Sequence, residues 1–185
     1  MNHAIRSVAS KLRILFLTII CFSCSATLLA SVPKIVEVQI EDAQLVGEAR
    51  MKVLFFNLYD IALFAPKGTF NSSLPFALEL NYLREIKARV IAELSAEEMR
   101  RQGNSEVDLA RWYRQMEFIF PDVKKGTSLI GIFDQAGETH FYQDNELIGT
   151  IADRAFSESF SAIWLGPDSR VPKIKRILTG EQPIE

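Results

Sequence analysis

The chain is predicted to form one α+β domain in which an antiparallel sheet is covered on one face by helices. Segments with the two-residue period of strands occupy the first half and return after residue 128, while a helical period fills the middle and the end. Strands, a helical pair, then strands and helices again in one chain suit an antiparallel sheet rather than βαβ units. No repeat, low-complexity tract or linker interrupts the run.

The elements follow in order. Ile35-Val36-Glu37-Val38-Gln39-Ile40-Glu41 alternates apolar and polar residues and predicts a first, half-buried strand. Residues 44–66 read as one or two further strands, rich in aromatic and aliphatic side chains and ended by Pro66 and Gly68. Phe70-Asn71-Ser72-Ser73 makes a loop, whose formal glycosylation acceptor is read as a solvated turn. Residues 76–84 alternate again as a strand.

The period then changes. Ile86, Val90, Ile91 and Leu94 share a helical face, Ser95 with Glu98 offers a capping box for a continuation to Gln102, and Gly103-Asn104 stops it. Ser105 with Asp108 opens a second helix striped by Leu109, Trp112, Tyr113, Met116 and Phe120 and stopped by Pro121. Such stripes usually face a core. Met99 and Tyr113 are also candidates to face a ligand, because helices that cover a sheet form the natural lid of a cavity.

From Ser128 the strand period returns over residues 129–133, 139–143 and 147–151, with turns at 134–137 and at Asp144-Asn145. Asp153 caps a third helix with Phe156, Phe160, Ile163 and Trp164 inward, and Gly166-Pro167 ends it. Pro172 and Gly180 bracket a final short helix with Val171, Ile174, Ile177 and Leu178 inward and Lys173, Lys175 and Arg176 on a solvated face.

The N-terminus has the layout of a signal peptide over residues 1–30: Arg6, Lys11 and Arg13, then an apolar run over 14–24, then small and polar residues. Cleavage is expected after Ala30, with Ala26 as a second site, since Leu28 is larger than the Ala-x-Ala pattern prefers. An uncleaved anchor is the competing reading, because residues 14–30 reach the lower limit of about 17 residues for a span. Cleavage would send residues 31–185, one domain of ordinary size, to the periplasm or beyond, with no stable membrane span left.

The same truncation constrains the chemistry. It removes Cys21, Cys24 and His3, leaving His140 as the one histidine, so a cysteine nucleophile is excluded and no cluster of His and Cys is left to hold a metal. His140, just after a turn containing Gly137, reads as a cross-strand or surface residue, with no Gly-x-Ser-x-Gly elbow to build a triad around it. No metal or cofactor is implied. Of the 21 Lys and Arg, removing the three in the leader leaves 18 against 23 Asp and Glu, a net charge of about −5 that argues against nucleic acid or an anionic membrane surface as the main partner.

One segment stands apart. In Gly47-Glu48-Ala49-Arg50-Met51-Lys52-Val53-Leu54-Phe55-Phe56-Asn57-Leu58-Tyr59-Asp60-Ile61-Ala62-Leu63-Phe64 an arginine and a tyrosine punctuate an otherwise apolar, strand-like run. With Phe156-Ser157-Glu158-Ser159-Phe160-Ser161-Ala162-Ile163-Trp164-Leu165-Gly166, it resembles the chalcone isomerase-like superfamily, in particular its bacterial secreted branch. The resemblance implies an open-faced β-sandwich, with a long antiparallel sheet wrapped by helices and a ligand cleft between them.

Chalcone isomerases steady a developing enolate with an arginine, a role a guanidinium in a low-dielectric pocket performs well. By resemblance Arg50 takes that place, Tyr59 falls where the family has a threonine, and Ile163 falls near a polar residue of the plant cleft. These departures make orthodox isomerase activity improbable. Non-catalytic relatives hold a fatty-acid carboxylate with an arginine and a tyrosine, the pair Arg50 and Tyr59 would supply.

The expected function is therefore a non-enzymatic binder of a fatty acid or similar apolar carboxylate, with Arg50, Tyr59, Met99 and Tyr113 as ligand-binding candidates and no catalytic residue assigned. The alternative is an isomerase or lyase on an enone-like, chalcone-type substrate, with Arg50 as anchor and Tyr59 as acid or base. A third reading is a protein-interaction module whose cleft is filled by side chains. One geometric condition bears on the pair: residues nine apart in a continuous strand face opposite ways, so Arg50 and Tyr59 meet only across a turn or bulge, for example near Phe56-Asn57.

Overall fold

The computed structural model describes residues 31–53, 55–73 and 75–181. The signal-peptide reading of residues 1–30 lies outside them. Six strands, β1 (Ala43–Val53), β2 (Phe56–Pro66), β3 (Phe76–Tyr82), β4 (Ser128–Phe133), β5 (Thr139–Gln143) and β6 (Glu146–Ile151), form one antiparallel sheet in sequence order. Every neighbour is also a neighbour along the chain, so each pairing is closed by a local turn or, between β3 and β4, by the helical pair.

Four helices cover the inner face: α2 (Ala88–Arg101), α3 (Glu106–Ile119), α4 (Arg154–Leu165) and α5 (Pro172–Thr179). Ile61, Leu63 and Leu78 from the sheet meet Leu109, Trp112, Met116, Phe156 and Phe160 from the helices in the main core. Aromatic contacts knit it: the Phe156 and Phe160 rings stack at 5.2 Å, and Phe160 meets Trp164 edge-on at 5.6 Å. Fully burying one such side chain stabilises the fold by roughly 1.5–3 kcal/mol.

The expected helix signals act as read at four ends. The Ser105 hydroxyl accepts from the Asp108 N–H, Asp153 accepts from Ala155 and Phe156, and Pro172 and Gly180 bracket α5, with Gly180 in the left-handed region at φ 71°. The Ser95–Glu98 capping box is a correction. α2 runs unbroken through both residues. Its N-terminus is satisfied from another loop instead, where Asp122 accepts from the Ala88 N–H at 2.9 Å.

The first predicted strand is also corrected: the segment begins with a short helix, α1 (Lys34–Gln39). Val36 and Ile40, four residues apart, lie on one side of it and pack against Ala62, Phe64, Ala77, Ile130 and Ile132 on the outer face of the sheet. Val38, which an alternating strand would bury with them, is exposed. The outer face is thus partly covered by α1, while the inner face carries the four longer helices.

β1 and β2 form a long hairpin that turns between Val53 and Phe56. Val46 is an extra residue on β1 and Leu58 an extra residue on β2, so the register shifts twice. Gly47 follows the first shift because α5 crosses there. A Cβ on Gly47 would overlap the Ile177 carbonyl and lie 3.0 Å from the Leu178 Cα.

Candidate functional site

A cavity of about 370 Å³ lies between the inner face of the sheet, α2, α4 and the segment leading into α5. Most of its wall is apolar, with Leu78, Leu80, Leu129 and Phe141 on the sheet side and Ile91, Leu94, Phe160 and Ile163 on the helices. Side chains alternate along β2, so Tyr59 shares a face with Ile61 and Leu63 and presents its ring to this space. Tyr82, paired with Tyr59 across the strands, meets it edge-on at 5.7 Å.

Few polar groups reach the cavity. Trp164 Nε1 donates to the Tyr59 phenol oxygen at 3.0 Å. Accepting that bond leaves the Tyr59 O–H able to donate to a guest. Burial pushes the Tyr59 phenol up to about 12, against the opposing effect of the Trp164 bond and with a small further push from Glu98. Burial first, then the neighbouring Tyr59, raises Tyr82 as well. Both phenols are therefore neutral donors at physiological pH.

Charge appears at the rim. Glu98, on α2, is held by Arg170 at 3.3 Å and by Arg101 at 3.1 Å, and Arg101 also donates to the Asp168 carbonyl at 2.8 Å. Two guanidiniums around one carboxylate leave one positive charge in excess where Glu98 and Arg170 line the cavity.

Arg50 does not join Tyr59, and the paired anion site expected from the sequence is corrected. Arg50 is opposite Asp60 in the β1–β2 register, and Met51 is opposite Tyr59, so the arginine and the tyrosine point to opposite faces of the sheet. On the outer face the Arg50 guanidinium is 49% exposed and forks onto Asp60, Nε to Oδ1 at 2.6 Å and the second nitrogen to Oδ2 at 2.8 Å. The register shift near the turn leaves Leu58 as the extra residue, on the turn side of Tyr59, and the pairings of Arg50 with Asp60 and of Met51 with Tyr59 stay in step.

Met99 is fully buried in the main core and is not part of the cavity wall. Tyr113 is only partly buried on α3, also away from the cavity, and its hydroxyl donates to Glu117 at 3.1 Å. Of the four candidates, Tyr59 alone lines the cavity. Ile163 lies in the wall, and Trp164, expected to face inward, joins it there; Ser95 and Glu98, read only as a capping box, and Arg170 supply further polar atoms.

His140 is a cross-strand residue. Its Nδ1 pairs with the Thr150 hydroxyl at 3.0 Å and its Nε2 with Asp134 at 3.1 Å, on the β4–β5 hairpin. Asp134, Glu138 and His140 bring a ligand atom each within 4.8 Å of one another. The Asp134 oxygens are engaged by the imidazole and by the Glu138 N–H at 2.8 Å, which makes the group a clasp for the turn. A wider groove of about 630 Å³, lined by turns that include Glu41, Asp42, Lys67 and Asp134, gives an apolar guest no enclosing wall.

A meander sheet backed by helices, with an apolar cavity between the layers and a few polar groups at its edge, defines an open-faced β-sandwich of the ligand-cavity class. The family model described as chalcone isomerase-like matches residues 29–180, and the chain belongs to that family. An uncharacterized protein of Haemophilus influenzae is 26% identical over 141 residues, 75% of this chain and 68% of the relative. The crystal structure of a fatty-acid binding protein of Arabidopsis thaliana superposes with a TM-score of 0.59 at 10% identity, over 75% of this chain and 87% of the other. At that identity the likeness shows the fold.

Proposed function

We propose that the chain binds, without turnover, a fatty acid or similar single-chain apolar carboxylate in the cavity behind Tyr59. The observation that carries this reading is the apolar cleft of about 370 Å³, within the range of small-molecule sites, with polar atoms confined to a few positions. The name of the Arabidopsis structure supports it as an analogy of fold. The magnitudes suffice: a dozen methylenes at about 0.8 kcal/mol each give on the order of 10 kcal/mol gross, against an association cost of about 4–15 kcal/mol.

Arg50 has no part in this site. The carboxylate would lie at the rim, drawn by the excess charge of Arg101 and Arg170 around Glu98, with the chain running inward past Tyr59. The isomerase alternative loses support because a tyrosine raised to about 12 is a poor base at neutral pH.

Titration of the delipidated protein with a long-chain fatty acid tests the reading. Leu80→Trp, which fills the partly buried wall, is expected to weaken binding by about tenfold or more while leaving the fold intact. Arg170→Ala should weaken a fatty acid several-fold and leave the corresponding alcohol unchanged. Equal binding by wild type and Leu80→Trp would place the ligand elsewhere.

The proposed location is the periplasm or the cell exterior, supported by the layout of residues 1–30. Among the described residues no helix is long and apolar enough to cross a membrane. Sequencing the N-terminus of the processed protein tests the location, with a start near Ser31 expected and an intact Met1 against it.

A further inference from the structure

We infer that the tip of the β1–β2 hairpin is a docking surface for an anionic phospholipid bilayer, beside the opening of the cavity. Phe55 is 97% exposed and Phe56 56% exposed, side by side at the turn. Neither ring serves the fold by burial, and two adjacent exposed phenylalanines form a patch that a folded protein keeps for contact. Val53, the last residue of β1, pairs with Phe56, is half-exposed and also lines the cavity. Leu94 of α2 is likewise half-exposed and on the wall. The apolar tip is therefore continuous with the rim of the ligand site.

Charge selects the partner. Tyr59 pairs with Tyr82, the Leu83 N–H donates to the Leu58 carbonyl, and the Gly126 N–H donates to the Tyr82 carbonyl, which holds residues 83–87 and 121–127 against the start of β2. Together with Lys52, these loops carry Arg84, Lys87, Lys124 and Lys125 against Glu85 and Asp122, a local net charge of +3 on a chain whose formal net charge is −2. Both carboxylates are occupied by Lys87. Lys52, Arg84, Lys124 and Lys125 are exposed.

The Arg84 guanidinium lies 4.6 Å over the Phe56 ring, so the cation and the aromatic are presented together. Aromatic rings that enter the headgroup boundary, ringed by lysine and arginine heads that reach its phosphates, are the composition of an interfacial contact. A groove on another protein would suit the phenylalanines but would not require the excess of cations. An acyl chain leaving the bilayer would pass Phe55 and Phe56 to reach Val53 and the cavity.

The surface goes beyond the ligand reading and can be tested without it. The mature chain is sedimented with vesicles of phosphatidylglycerol and phosphatidylethanolamine, and with vesicles of phosphatidylcholine alone. Binding to the anionic vesicles is expected, weakening with salt, and lowered by about tenfold or more in Phe55→Ser/Phe56→Ser and in Lys124→Glu/Lys125→Glu. Leu80→Trp should sediment as the wild type does, which separates this surface from the cavity. The proposal is overturned if the wild type stays in the supernatant, if either double variant binds as well as it, or if ultracentrifugation without lipid shows a dimer that Phe55→Ser/Phe56→Ser abolishes.

Discussion

The indole N–H of Trp164 donates to the phenol oxygen of Tyr59 at 3.0 Å, joining β2 to α4 across 105 positions of sequence at the wall of the cavity. The bond uses the only donor of the indole and one acceptor of the phenol. Tyr59→Phe would leave the Trp164 N–H in an apolar wall without its partner. The expected loss is about 1–3 kcal/mol of stability, read from urea unfolding. Because the two side chains act as a unit, Tyr59→Phe/Trp164→Phe should cost less than the sum of the single variants. Additive losses would show that the bond contributes nothing in solution.

The raised phenol has a consequence at alkaline pH. Tyr59 keeps its proton in the fold up to about 12, whereas an unfolded tyrosine loses it near 10.0. The native state then holds more protons than the unfolded state across that window, so stability is complete below pH 10 and falls as the pH rises towards 12. In a spectroscopic titration of tyrosinate, Tyr59→Phe should remove a late-ionising group. A phenol that disappears from the part of the curve at or below pH 10 would mean that the cavity wall is wet.

Local rules located most of the elements because their signals are short-range. Ser105 and Asp153 cap their helices through hydrogen bonds spanning two or three residues, and Pro172 and Gly180 bracket α5, so neighbouring sequence suffices to find them. α1 is ambiguous in the sequence because Ile35, Val36, Val38 and Ile40 fit a strand nearly as well as a helix over so few residues, and only the outer face of the sheet decides between them.

The site was less legible. Tyr59 and the inward face of Trp164 are legible from strand and helix spacing, but Glu98 and Arg170 reach the cavity through tertiary packing that no spacing encodes. For Arg50 the sequence does carry a signal. Arg50 and Asp60 are opposite charges nearly equidistant from the hairpin turn, the arrangement of a cross-strand ion pair.

Arg50→Ala is therefore expected to leave fatty-acid affinity unchanged. The guanidinium is half in water and its partner Asp60 is on the outer face, so screening and side-chain entropy keep the pair's contribution to stability small. The urea midpoint should move little. A large loss of affinity with an unmoved midpoint would return Arg50 to the ligand site and contradict the register of β1 with β2.

Asp153 ties the start of α4 to α3, and its removal should be the more damaging change. One oxygen accepts from the N–H groups of Ala155 and Phe156, capping α4, while the other accepts from Trp112 Nε1 at 2.9 Å and from Arg111 at 2.6 Å on α3. Burial, the largest single influence, raises this carboxyl, but the bonds from Trp112, Phe156 and Ala155 and the charge of Arg111 together outweigh it and hold it below its ordinary 3.8. A depressed carboxyl contributes stability that is present above the unfolded value and is lost as the pH falls through the folded one. Asp153→Ala should lose a cap worth about 1 kcal/mol and leave the Trp112 N–H unpaired at a further cost of about 1–3 kcal/mol. Asp153→Asn keeps an acceptor for the cap but carries no charge, so its stability should decline less steeply than the wild type's below about pH 4. Parallel declines for the two proteins, followed by thermal unfolding from pH 7 downward, would show that this carboxylate is not the group through which acid loosens the contact between α3 and α4.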